Sequence, residues 1–320
     1  IYKWVVDGEI VEPEQWDEAA LRFIEAFIEL QAATDEATVI RLITNHGLPR
    51  EAVPTQWLTK SAVWEALLGN GDMPMTAMIR NLATMTRVGV LAPLSDGCRR
   101  VIAELSDAER LRHSRVHPIA ILAALTTYAQ GHGVRSDATW QPVQQIVDAL
   151  DSAFYGAFIN VTPTGKRLLL GVDVSGSMGA GDIAGITGLA PRVAAAAMCL
   201  VTAATEPNHV IMGFQDKFVS LPISPRQRLD DVVRLTQNLP FGRTDCALPM
   251  LWALENKVPV DGFVIYTDNE TWVGTVHPIT ALQQYRQRQG LDSRSVVEAF
   301  TATGFTIADP DDAGMLDVVG

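Results

Sequence analysis

The apolar run Leu168-Leu169-Leu170-Gly171-Val172 ends in Asp173-Val174-Ser175-Gly176-Ser177, and no other stretch restricts the fold as strongly. An apolar run without polar alternation suits a strand buried on both faces, with helices above and below a parallel sheet. When such a strand ends in Asp-x-Ser-x-Ser, a carboxylate and two hydroxyls point into the crevice at the carboxyl edge of the sheet. Oxygen ligands of this kind hold a hard cation and leave a coordination place open.

The sequence after residue 163 supplies the rest of such a sheet. Strand-like 168–174 is followed by the Ala-rich helical stretch 191–205, strands at 209–214 and 218–221, and a helix near 227–238. A loop over 240–244 leads to a helix that Asp245 caps and that runs to about Lys257. The strand Gly262-Phe263-Val264-Ile265-Tyr266, a helix from Pro278 to Arg288, and strands at Val296-Val297 and Phe305-Thr306-Ile307 complete the domain. Alternating strands and helices predict a doubly wound, mostly parallel, Rossmann-like α/β fold. Asp268 follows the later strand, so its carboxylate shares a crevice with Asp173, and Thr244 sits in the loop before a helix. Asp173, Ser175, Ser177, Thr244 and Asp268 therefore form a candidate site for a divalent cation, expected to be Mg²⁺. Two carboxylates balance its charge, and hydroxyls and waters complete an octahedron at about 2.0–2.1 Å. The blander reading makes these residues turn caps. The matching positions of Thr244 and Asp268 favour the metal.

Residues 14–160 read as all-helical. Asp17 is placed to cap a helix through Leu21, Ile24 and Ile28, and Asp35 a second through Val39, Ile40 and Ile43, ending near Gly47. A third covers about 59–68, and Pro74 opens a fourth through Met75, Met78, Ile79 and Leu82. Ser106-Asp107-Ala108-Glu109 fits a capping box, while Pro118 and Pro142 each open a further apolar helix. Short helices joined by short turns predict HEAT-like antiparallel pairs stacked as a solenoid. The boundary between the two halves falls near residue 163, giving domains 1–163 and 164–320.

Charge is uneven along these 320 residues. The net value of −12 argues against a protein that simply coats nucleic acid. Yet residues 1–77 carry 5 Lys and Arg against 13 Asp and Glu, whereas residues 78–135 carry 8 against 4. Within the basic segment Arg80, Thr84 and Arg87 share one helix face, opposite the methionines. Arg112 and Arg115 are three apart and close to His117. With Lys60, these form a candidate phosphate-contacting stripe for RNA. The competing reading is a solvated helix face, with His117 as a cap before Pro118. Three cysteines, Cys98, Cys199 and Cys246, lack metal spacing and suit a reducing compartment, here the cytoplasm. No apolar run reaches the roughly 20 residues needed to span a bilayer. The chain opens on Ile1 and is expected to continue upstream.

The five oxygen-bearing residues resemble the metal-ion-dependent adhesion site of von Willebrand factor A domains, over about 164–320. That resemblance implies an open place that accepts an acidic oxygen from a protein ligand. Arg243 before Thr244 departs from the Gly-Gly-Thr-Asp-Cys pattern of close relatives. Further stretches extend the likeness over nearly the whole chain: 60–68, Met75-Thr76-Ala77-Met78-Ile79-Arg80-Asn81-Leu82, Val116-His117-Pro118, 162–167, 244–250, 266–271 and 304–312. Together they resemble the Ro family of bacterial type, a TROVE module followed by an A domain, here without its N-terminal helical repeats. The family implies a ring of HEAT-like repeats that binds the 3′ ends of misfolded RNA and small non-coding Y RNA, with exoribonuclease partners in bacteria.

The leading expectation is thus a non-enzymatic RNA-binding protein of RNA quality control. An adhesion module with a helical scaffold and no RNA role is the alternative. A metal-dependent hydrolase ranks last, because no His or Glu is spaced as a general base beside Asp173 and Glu270 is the only nearby acid candidate.

Overall fold

The computed structural model describes residues 18–71, 73–133, 137–183, 185–214, 218–239, 244–268, 274–301 and 307–319. Packing divides the chain into two compact units. One holds the residues up to Arg110 together with Thr139–Ala149; the other holds Leu111–Ala138 and Leu150–Gly320.

The first unit is helical: α1 (Glu18–Ala32), α2 (Glu36–His46), α3 (Ser61–Gly69), α4 (Met75–Arg87) and α5 (Asp96–Ser106). Here α1 packs on α2, α2 on α3, and α5 on both α3 and α4. Local signals explain the helix ends. Asp35 Oδ1 accepts the Thr38 amide at 2.8 Å, and Gly47, at φ 62°, closes α2 by donating its N–H to Ile43 O. Trp64 is fully buried, and its indole donates to Leu58 O at 2.8 Å. Met75, Met78, Ile79, Leu82 and Met85 form the buried stripe of α4, as their spacing predicts. The expected cap Asp17 lies outside the described residues.

The capping box at Ser106 is corrected. Ser106 is still helical, and α5 ends there. Asp107 has the extended backbone an N-cap requires, and its Oδ1 accepts the Glu109 and Arg110 amides at 2.9 and 3.1 Å, opening α6 (Ala108–Ser114).

The second unit begins at Leu111, within α6, and continues through α7 (Pro118–Ala129). The chain then returns to the helical unit for the first part of α8 (Gln144–Gly156). The last residues of α8 and a 3-10 turn, Ala157–Asn160, belong to the second unit again. Asn160 Nδ2 ties that turn to the end of α6 by donating to Leu111 O at 3.0 Å and Val116 O at 2.9 Å.

The sheet of the second unit contains β1 (Leu168–Asp173), β2 (His209–Phe214), β3 (Phe218–Ser220), β4 (Gly262–Thr267), β5 (Arg294–Ala299) and β6 (Met315–Val319), in spatial order β3-β2-β1-β4-β5-β6. Every pairing is parallel except β2 with β3. The helices of this part are α9 (Pro191–Thr205), α10 (Leu229–Gln237), α11 (Leu248–Glu255) and α12 (Pro278–Gln289). One core cluster joins Leu169, Phe263, Ile265 and Val297 to Met250 of α11 and Leu282 and Tyr285 of α12.

Helix α9 contacts β2 and β4, and α7 and the 157–160 turn pack against it as well. That double coverage explains its composition. Ala194 to Ala197, Cys199, Leu200 and Val201 are all buried, because a helix covered on more than one side has no polar stripe to show.

The sixth strand differs from expectation. Residues 305 and 306 lie outside the described residues, and Ile307 sits in a bend whose amide donates to Asp317 Oδ2 at 2.8 Å. The strand that completes the sheet is β6, at its edge, with Leu316, Val318 and Val319 exposed.

Candidate cation centre and helical-unit groove

The chain runs outward from β1 to β2 and β3, then resumes on the other side with β4, β5 and β6. The strand order therefore reverses between β1 and β4, and a crevice opens above their carboxyl ends at such a switch point. Asp173 closes β1, and Asp268 follows β4. The opposite ends of the same two strands are pinned together. Arg167 donates to Asp261 from its amide at 2.8 Å, from Nε at 2.9 Å and from its terminal NH2 at 2.5 Å. This fork holds the Asp261 carboxyl down at about 2.

All five expected ligands are described, and hydrogen bonds directly link four of them. Asp173 is 1% exposed. Its Oδ1 accepts the Ser175 amide at 2.8 Å, and its Oδ2 accepts the hydroxyls of Thr267 at 3.0 Å and Thr244 at 3.2 Å. Ser175 Oγ and Ser177 Oγ stand 2.9 Å apart. Asp268 is buried beyond β4, and its carbonyl accepts the amide of Thr301 at 2.9 Å and that residue's hydroxyl too. Ser177 is the exposed member of the set and Thr244 is half-buried, so the site opens on one side.

Burial pushes the Asp173 carboxyl up, and the neighbouring Asp268 charge adds to the push. The Ser175 amide and hydroxyl and the Thr267 hydroxyl work the other way. Two buried carboxylates facing one crevice are costly without a compensating charge.

The donor set fits a small hard dication. Adjacent ligands of an octahedron with bonds near 2.0–2.1 Å lie about 2.9 Å apart. The two serine hydroxyls have that separation. Carboxylate and hydroxyl oxygens without thiolate or imidazole are the chemistry of Mg²⁺ rather than Zn²⁺. Arg243 and Glu270 lie outside the described residues.

Sequence reading missed Arg192. It lies in the Ala-rich stretch 191–205, where no motif marks it. In the fold it is buried near the start of α9, and its guanidinium donates to Ser175 O at 2.8 Å. Burial pulls its pKa down, while the Asp173 carboxylate opposes the loss of its proton.

The six candidate RNA-contacting residues divide between the units. Lys60, Arg80 and Arg87 belong to the helical unit, whereas Arg112, Arg115 and His117 fall in the second; all six are exposed. His117 serves as a cap, its Nδ1 accepting the Ile119 amide at 3.2 Å. Arg115 takes the left-handed backbone, at φ 52°. Of the six, Arg87 alone lines a groove of about 450 Å³ in the helical unit. Thr84, placed on the same helix face from sequence, lines it too, and the groove adds residues that sequence reading passed over: Arg50, from a 3-10 turn (Arg50–Ala52), with Thr55, Thr59 and Asn81. Among the described residues, none lining it is acidic, and Arg50 Nε is buried without a hydrogen-bond partner. Arg50 and Arg87 lie far apart in sequence, so only folding could reveal the pair.

A doubly wound, mostly parallel sheet that follows a helical module defines a protein of the A-domain class. Family comparison is more specific. The TROVE domain matches residues 13–127, and the Ro60 vWA domain matches residues 167–320. The chain is 46% identical to the RNA-binding protein RO60 of Deinococcus radiodurans over 100% of its own length and 59% of that protein's. It is 44% identical to the RNA-binding protein RO60 of Caenorhabditis elegans over 98% of its length and 48% of the relative's. The crystal structure of Deinococcus radiodurans RO (RSR) protein matches with a TM-score of 0.90 at 46% identity, covering 99% of this chain and 63% of that one. The chain belongs to the Ro family. It spans about half to three-fifths of the length of these curated relatives.

Proposed function

We propose that this chain binds RNA through its helical unit and that its α/β unit holds Mg²⁺ to dock an acidic ligand. The observation that carries the RNA reading is the groove whose described lining holds Arg50 and Arg87 among neutral polar and apolar side chains and no acid, in a chain of net charge −12. Guanidinium pairs of this kind suit phosphate oxygens. The names of the Deinococcus and Caenorhabditis relatives support the same reading.

In finer terms, the RNA is a small non-coding, Y-like RNA and the single-stranded end of misfolded RNA, held for quality control or decay with an exoribonuclease as protein partner. The Ro-family resemblance supports this choice. Lys60 and Arg80 in the helical unit, and separately Arg112, Arg115 and His117 in the second unit, are further candidate phosphate contacts. Three free, buried cysteines suit the cytoplasm, and among the described residues no helix is long and apolar enough to cross a membrane.

At the cation centre, Asp173 and Asp268 supply charge, and Ser175, Ser177 and Thr244 supply hydroxyl oxygens. The ion contributes positive charge that captures an acidic oxygen. The role is binding, not turnover.

A gel-shift titration of the full chain with a hairpin RNA bearing a single-stranded 3′ tail tests the RNA reading. A complex at low salt that weakens steeply with added salt and survives EDTA is the expected result. No complex at low salt would sink it.

A further inference from the structure

A guanidinium buried beside a cation site needs a reason, because its charge opposes the ion the site is built for. Arg192 is 8% exposed and sits just after Pro191, in the first turn of α9. A positive charge there also opposes the helix dipole. Its Nε is buried without a hydrogen-bond partner, so the side chain is not held by a full set of contacts. Among the described residues, its guanidinium donates to Ser175 O at 2.8 Å, inside the Asp173–Ser177 loop. The loop in turn leaves it room. A Cβ on Gly179 would stand 2.8 Å from a terminal guanidinium nitrogen, closer than real contacts allow.

Charge arithmetic gives this placement a purpose. Asp173 and Asp268 carry two negative charges, and Arg192 returns one positive. Adding a dication leaves the site with one net positive charge, which an anionic oxygen from a ligand would cancel. Without Arg192 the loaded site would already be neutral, and an anionic ligand would make it negative.

We propose that Arg192 is a built-in counter-ion of the cation site, which holds the ligand loop in place, weakens binding of the bare dication and makes dication and anionic ligand load together. The inference rests on the cation reading given above and adds to it the coupling between ion and anion. Arg192 is a positioning and charge-setting residue; it contributes no ligand of its own. In the bare site its charge stands in for part of the missing ion, and in the loaded site it favours a carboxylate over a neutral oxygen.

Mn²⁺ binding to the full chain, followed by electron paramagnetic resonance with and without acetate as the anionic probe, tests this. Wild type should bind Mn²⁺ weakly and gain affinity when acetate is added. Arg192→Gln should bind Mn²⁺ about tenfold more tightly without acetate, the order expected when one opposing charge leaves a partly buried site. It should lose the acetate dependence and melt at a lower temperature in EDTA. Gly179→Ala, which displaces the guanidinium but keeps its charge nearby, should fall between the two, and it provides the test if Arg192→Gln fails to fold. Unchanged or weaker Mn²⁺ binding in the variants, while Asp173→Ala still abolishes binding, overturns the counter-ion role alone. If wild type and variants all fail to bind Mn²⁺, the cation reading falls and the counter-ion falls with it.

Discussion

The two units handle charge in opposite ways. The α/β unit concentrates carboxylates at one buried crevice, where Asp173 accepts the Thr244 and Thr267 hydroxyls and Asp268 is buried as well. The helical unit sets guanidiniums around an open groove without any acid. A buried like-charge pair calls for a small ion of fixed geometry, whereas an exposed basic groove suits a polyanion that any sequence can supply. On the proposed function, one chain holds two recognition chemistries that separate substitutions can address.

Asp173→Ala should have the largest effect. It should abolish Mn²⁺ binding measured by electron paramagnetic resonance and leave the RNA gel shift unchanged. Loss of both activities together would break the division of labour. Next in size is Trp64→Ala, which empties a fully buried site and removes the indole bond to Leu58 O. Urea unfolding should register a cost of about 3–5 kcal/mol, with RNA binding lost at urea concentrations that leave Mn²⁺ bound. A variant that releases the metal at the same midpoint would show the units unfolding as one.

The paired substitution Arg50→Ala with Arg87→Ala should weaken RNA binding about tenfold at low salt and make the salt slope shallower by about 1.4, for two single-strand phosphate contacts. Mn²⁺ binding should not change. The smallest effect belongs to Asp261→Asn. Arg167 holds this carboxyl below its unfolded value, so its contribution is fully present above pH about 4 and disappears as pH falls through about 2. The pair is partly exposed, which limits the loss at pH 7 to about 1 kcal/mol or less. A thermal melt series should show the gap between wild type and variant closing between those two pH values.

The candidate cation centre could be put forward from sequence because each of its residues stands at a recognisable point of the strand pattern. Asp173, Ser175 and Ser177 follow one apolar run, and Thr244 and Asp268 stand at recognisable points of a βαβ rhythm. Arg192 was not legible, because a buried charge is defined by what folds over it. The Arg50 and Arg87 groove escaped for the same reason. Strand β6 was missed because an edge strand with Leu316, Val318 and Val319 exposed lacks the signature of burial, while Phe305-Thr306-Ile307 has the composition of a strand without serving as one at Ile307. At Ser106 the capping-box spacing matched, but backbone conformation decided the cap in favour of Asp107.

The route of the chain has a consequence for how the molecule is made. Residues 111–138 belong to the α/β unit and residues 139–149 return to the helical one. As synthesis proceeds from the N-terminus, the helical unit therefore waits for a segment that emerges after part of its neighbour. The helix that becomes α7 must in turn wait, partly uncovered, until α9 has been translated. Neither unit can finish folding before the other has begun, so a nascent chain halted near residue 163 should carry an apolar helical face that only later synthesis can cover.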